Sequence, residues 1–292
     1  MKRQYIVLSD DEDENDVKKI RDDEDEEYDE KTSISQPTFE SVFNISEQQR
    51  SDIEIELVNS DALIAFHVLK SQYPNDKNIK GFDNTILPPF PVVFLHQLYT
   101  TLENKQFIDS EVDRLSHLGI IKKFVYNSHE DEYLLCLCED YLEFIRETIY
   151  PRIPTKFISS FLYYLTTQNT YYYITPLQLC LKCQLEKSDQ EQFCKILFEN
   201  GLINRKITNS EILYFNTYPK MGSFYKCISI GREEVLKILK HSKSMMTKDV
   251  FLSKKTNRLP YGSLFHFRDM MGRGSILCKT SPNKEIVLYI NS

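Results

Sequence analysis

Apolar positions recur along this chain in three similar passages. In the first, LPPFPVVFLHQLY supplies Val92, Val93, His96, Leu98, Tyr99 and Leu102 in helical register after its prolines. FIDSEVDRLSHLG then sets Ile108, Val112, Leu115 and Leu118 at near-helical spacing, and Gly119 is placed to close that helix in a left-handed conformation. IIKKFVYN and YLLCLC read as strands around the polar turn SHEDE, and EDYLEFIRETI returns to helix before Pro151 and Pro154.

The second passage repeats the order. FISSFLYYLTT is helical, ITPLQLCLKC opens with Thr175 as N-cap and Pro176 in the first turn, and SDQEQFCKILFENG starts with a capping box from Ser188 to Glu191. Gly201 ends that helix, and LINRKI and EILYFN form a hairpin around Thr208-Asn209-Ser210. In the third, Phe224, Ile228, Val235 and Leu239 form a helical stripe interrupted in composition by Gly231. Short helices follow near TKDVFLSKK and SLFHFRDMMG, then Gly272 and Gly274, then strands SILCKT and EIVLYI around SPNK.

A period of about 75 residues is too long for a solenoid and suits tandem small domains. Helices closed by a two-stranded hairpin describe a winged helix. The expected fold is α+β, mainly α: three tandem winged-helix domains over 82–150, 152–222 and 223–292, packed as one elongated body because each alone buries little core.

Ahead of them, SDDEDENDVKKIRDDEDEEYDE has too little apolar surface to offset its ordering entropy, so residues 1–80 are expected to form a disordered acidic tail. DALIAFHVLKSQ, residues 61–72, is apolar enough for a short docking helix within it. The tail reads either as a solubilising segment or as an acidic peptide for a basic partner, tuned by phosphorylation of Ser9.

Charge separates the two ends. Residues 1–60 hold 19 acidic and 7 basic side chains, whereas the stretch from Ile230 onward holds 12 basic and 5 acidic. A pI near 5.5 thus conceals a basic C-terminal unit, the usual electrostatic footprint of a nucleic-acid site. Seven cysteines without a disulfide framework, and no signal peptide or apolar run long enough to span a membrane, suggest a soluble protein of a reducing cytosolic or nuclear compartment.

Candidate chemistry is thin. Cys180 and Cys183 have the spacing of half a zinc site, but no second pair completes it, and both fall on one apolar helical face as core residues. Cys136 and Cys138 share a strand face turned to the core or a neighbouring domain. HFRD, residues 266–269, has the look of a kinase catalytic loop. The magnesium-binding Asn that such a loop needs five residues on is here Gly274, and a DFG and a phosphate-binding glycine loop in strand context are missing too. No cofactor, metal site or catalytic residue is expected.

Nucleic-acid binding needs only a distribution of charge, and the three copies differ in it. SHEDE in the first hairpin would repel phosphates, and SDQEQFCKILFEN in the second copy is acidic. In the third, Lys240, Lys243, Lys248, Lys254, Lys255 and Arg258 crowd the helices. Arg268 and Arg273 flank the turn, and Lys279 and Lys284 flank the hairpin. Such side chains neutralise phosphates without reading sequence. The competing reading is a solvated basic face, or one that meets an acidic protein.

LPPFPVVFLHQLY, CEDYLEFI, IGREEVLKILKHSK and FHFRDMMGRGSIL with EIVLYI together resemble the family of serine/threonine-protein kinase 19, over about residues 82–292. The resemblance implies tandem winged helices without kinase activity, in a nuclear DNA-binding protein of transcription-coupled nucleotide excision repair. It implies a bridge between stalled RNA polymerase II with its Cockayne-syndrome ubiquitin-ligase factors and the helicase complex that opens the lesion. Lys105 falls where the family has a basic residue after its first helix, and Lys240, Lys243 and Lys255 fall in its basic third unit. The family's basic N-terminal segment is replaced by acidic sequence.

The sequence therefore points first to a non-enzymatic adaptor that grips double-stranded DNA through Lys105, Lys240, Lys243, Lys254, Lys255, Arg258, Arg268, Arg273, Lys279 and Lys284. A protein-interaction scaffold without DNA binding is the second reading, and a protein kinase, on the family's name alone, the third.

Overall fold

The computed structural model describes residues 60–74, 87–127, 132–167, 173–208, 211–242 and 246–291. The acidic segment and Lys243 lie outside them.

The chain builds three α+β units in sequence, each with its own small sheet. The first comprises α1 (Asp61–Ser71), β1 (Val93–Phe94), α2 (Leu95–Leu98), α3 (Lys105–His117), β2 (Ile121–Asn127) and β3 (Glu132–Leu137). Ser60 caps α1 by accepting from the Leu63 amide, and Asn104 caps α3 by accepting from the Phe107 amide. Leu118 and then Gly119, at φ 72°, end α3 as its composition predicts. Two expectations change here. The predicted helix from Val92 is a two-residue strand followed by a single turn, because Val93 and Phe94 pair with Leu135 and Leu134 of β3. The helix at 61–71 is part of the unit's core, with Phe66 packed among Leu98, Ile108, Val112 and Leu115.

Connecting helix α4 (Cys138–Phe144) runs through a π turn at Ile145–Ile149 and a 3₁₀ turn at Tyr150–Arg152, where Pro151 stops it. The second unit holds α5 (Thr155–Thr167), α6 (Pro176–Lys182), α7 (Gln190–Glu199), β4 (Ile203–Ile207) and β5 (Ile212–Asn216). Thr175 and Gln178 cap α6 reciprocally. The capping box expected at Ser188 does not form. Lys187–Asp189 is a 3₁₀ turn, the Ser188 hydroxyl donates to Glu186, and α7 begins at Gln190.

The third unit contains α8 (Met221–His241), β6 (Met246–Thr247), α9 (Lys248–Ser253), α10 (Gly262–Gly272), β7 (Ile276–Thr280) and β8 (Ile286–Ile290). Helix α8 passes unbroken through Gly231, since the missing side chain makes room for a neighbour: a Cβ there would lie 2.0 Å from the His266 ring. Twenty-one residues give it about 31 Å of length, enough to serve two cores. Met221, Phe224, Cys227 and Ile228 enter the core shared with the first two units, and Val235 and Leu239 enter that of the third.

All three units share one strand arrangement. A short leading segment pairs with the second strand of the hairpin, giving the orders β1-β3-β2 and β6-β8-β7. In the second unit Ile174 bridges Tyr214 of β5 in the same position. The first sheet is covered on both faces: Ile121, Leu135 and Val93 face α1 to α3, while Phe124, Leu134 and Cys136 face the core shared with the second unit and α8. That double burial explains why YLLCLC is continuously apolar rather than alternating. It also buries Lys122, opposite Cys136, and pushes its ammonium down to about 8.

Candidate nucleic-acid interface

One cluster of charged side chains lies inside the fold. Asp269, on α10, is fully buried and receives two hydrogen bonds from Arg232 of α8, Nε to Oδ2 at 2.9 Å and Nη2 to Oδ1 at 2.8 Å. His96 of α2 lies 2.8 Å from Oδ1 through Nε2. Nη1 of the same arginine donates to Glu132 Oε2 on β3 at 3.1 Å, and Arg273 Nε is 2.6 Å from Glu132 Oε1. The cluster joins the first unit to the third. Burial opposes the charge on Asp269, yet the bonds from Arg232 and His96 hold its carboxyl well below the usual carboxylate range. Burial likewise pushes His266 down to about 4, so it is a neutral core side chain. HFRD is thus turned inward: its aspartate is spent on an arginine and a histidine, with no solvent-facing carboxylate to act as a base.

Beside this cluster is a cleft of about 590 Å³. Lys105 and Arg273 line it from the first and third units, together with His96, Tyr99 and Glu132. Lys105 is the first residue of α3, and its ammonium stands 5.3 Å from the Tyr99 ring centroid. The structure therefore brings together two residues that the sequence singles out from distant segments, but Arg273 spends part of its charge on Glu132.

The other predicted cations are distributed differently. Arg268 is half-buried, which lowers its pKa, and donates to Gln72 at the C-terminal end of α1. Arg258 is exposed, 3.8 Å from Glu234. Lys240 lies in the last turn of α8, and Lys254 and Lys255 follow α9, all exposed. Lys279 lies on β7 with its ammonium 5.3 Å from the Tyr289 ring, and Lys284 occupies the hairpin turn at φ 63°. Among the described residues these five lysines have no ion pair.

Two sets escaped the sequence. Arg232, Glu132 and His96 are far apart in the chain and carry no local motif. Arg205 and Lys206 on β4 follow an acidic helix, and the rings they meet, Phe198 and Tyr173, come from other segments of the chain. All four cysteines named above are buried, with Cys180 and Cys183 inside the second unit. No helix among the described residues is long and apolar enough to cross a membrane.

The fold and its charges define an α+β protein with a buried interunit ion cluster and a basic C-terminal surface. Residues 72–259 match the family model described as inactive serine-threonine protein kinase 19, and the chain belongs to that family. The match ends before α10, so Asp269, Arg273 and the last hairpin lie beyond it. No curated protein matches the chain.

Proposed function

We propose that the protein is a non-enzymatic, nuclear DNA-binding adaptor built of three tandem winged helices, with the third unit holding duplex DNA and the first two docking proteins. The recurring arrangement, a leading segment, two helices and a hairpin whose second strand sits between the leading segment and the first strand, supports the winged-helix reading. One observation carries the DNA reading: Lys240 near the end of α8, Lys254 and Lys255 after α9, and Lys279 and Lys284 on the last hairpin are all exposed and, among the described residues, without ion pairs. Each such cation that meets a phosphate releases a counterion and adds sequence-independent affinity.

The inward position of Asp269 and the family's description as inactive support the reading of an adaptor over a kinase. The resemblance to transcription-coupled repair factors supports RNA polymerase II, the Cockayne-syndrome factors and the repair helicase complex as partners.

Duplex binding as a function of salt tests this reading, comparing the wild type with Lys240→Glu/Lys255→Glu. A loss of at least tenfold is expected, with a salt slope shallower by about 2. Unchanged affinity, or none at low salt, would leave the protein-interaction scaffold as the better reading.

A further inference from the structure

A second cationic place lies apart from the third unit. Between the sheet of the first unit and the hairpin of the second is a groove of about 490 Å³. One wall is Tyr126 of β2 with Tyr225 of α8, their ring centroids 4.2 Å apart, fixed by the Tyr225 hydroxyl donating to the Val125 carbonyl at 2.9 Å. The opposite wall is Tyr173 and Phe215, edge to face at 5.8 Å. Lys206 places its ammonium 4.8 Å from the Tyr173 centroid, and Arg205 sits 5.5 Å from that of Phe198 at the rim.

The lining chemistry is one-sided. Lys206, Arg205 and Lys220 line the groove and, among the described residues, no Asp or Glu does. At one end α8 begins without a side-chain cap. Lys220 takes the cap position at φ 68°, and Gly222 in the first turn has open space above its Cα. The helix start adds partial positive charge to that of the side chains. Asn204, exposed on β4 opposite Phe215, offers an amide at the same face.

Partly exposed aromatic rings lining the groove, with cations beside them, fit an alternation of flat rings and anions. Duplex DNA does not present that alternation, because its bases are stacked on one another; a single strand does. We propose that this groove binds a segment of single-stranded nucleic acid, with bases stacked on Tyr173, Phe215 and Tyr225, which Tyr126 backs, and phosphates on Lys206, Arg205 and Lys220. The site deepens the DNA-binding reading given above but uses residues separate from the third unit's lysines.

The test is fluorescence anisotropy of the full chain with a short fluorescein-labelled oligothymidylate, an abasic oligomer of equal length and a duplex of equal length. Lys206→Glu, Arg205→Glu and Phe215→Ala are each expected to weaken oligothymidylate binding about tenfold, the scale of one lost stacking or charge contact, and to change duplex binding less than twofold. The abasic oligomer is expected to bind at least tenfold more weakly than oligothymidylate. Phe215→Ala is read beside the two surface charge reversals, which leave the core intact.

Oligothymidylate affinity unchanged in the two charge variants would overturn the proposal, as would equal binding of the abasic oligomer or parallel loss of duplex binding. Lys240→Glu/Lys255→Glu separates the two sites. If the wild type fails to bind duplex yet binds oligothymidylate through the groove, the duplex reading falls and the groove stands.

Discussion

Arg232 holds Asp269 through two side-by-side hydrogen bonds while its third nitrogen reaches Glu132, so one guanidinium joins α8 and α10 to the hairpin of the first unit. Removing one partner of a buried pair strands the other. Asp269→Asn is expected to cost about 3 kcal/mol, seen as a lower urea midpoint. The combined Arg232→Met/Asp269→Leu variant should lose less than the sum of its single changes, because it leaves no stranded charge between that pair. Strict additivity would mean that the two side chains do not stabilise one another.

Gly272 ends α10 against the backbone of α2, where a Cβ would lie 1.8 Å from the His96 carbonyl oxygen. That oxygen is main chain and cannot swing aside. Gly272→Ala is expected to destabilise by ~2–4 kcal/mol through displacement of α2. Gly274→Ala, at φ 75° with open space around it, should cost only ~1–2 kcal/mol from left-handed strain. Equal melting temperatures for the two variants would refute the close approach.

The buried His266 and Asp269 both make stability fall on acidification. Burial pushes His266 from 6.5 down to about 4, so the unfolded chain takes up its proton first and stability falls as the pH drops from 6.5 to about 4. The effect is bounded at about 3 kcal/mol. Asp269, held well below the usual carboxylate range despite its burial, stabilises above about pH 4 and loses that contribution only at lower pH, as it is protonated in the fold. Melting from pH 8 to pH 5 should fall more steeply for the wild type than for His266→Gln; identical slopes would exclude the histidine as the source.

Lys122 is charged at neutral pH inside the core shared by two units, where burial pushes it from 10.5 down to about 8. Between those values the unfolded chain binds the proton more readily, so this lysine's cost to stability is largest below pH 8 and fades as the pH approaches 10.5. Lys122→Met is therefore expected to raise stability at pH 7 by about 2 kcal/mol, with the gain shrinking as pH is raised. A destabilised methionine variant at pH 7 would show that hydrogen bonding to the ammonium outweighs its desolvation.

The helices with strong local signals were legible in sequence. Thr175 and Pro176 start α6, and Gly119, Gly201 and Gly274 close helices at positive φ, because capping and left-handed backbone are decided within a few residues. The start of the first unit was not legible: α1 has little amphipathic contrast, and Val93–Phe94 becomes a strand only because β3 offers it an edge. Of the candidate site residues, the exposed lysines of the third unit were visible as a charge cluster. Arg268 and Arg273 belonged to the same cluster by composition, yet Gln72 and Glu132 claim them.

By itself, then, the sequence determined what depends on neighbours in the chain: three helical passages that end in hairpins, the glycines that punctuate them, and a basic C-terminal third. Tertiary structure alone decided the fate of individual charges. Asp269 meets Arg232, and Arg232 meets Glu132 a hundred residues away, and no local pattern can announce a partner at that distance. The same holds for the aromatic groove, whose two walls come from Tyr126 and Phe215 and exist only because the first sheet packs beside the second hairpin. Burial and long-range pairing reverse what an isolated side chain would do, turning HFRD into an internal strut and leaving a few lysines and one cationic, ring-lined groove open to solvent.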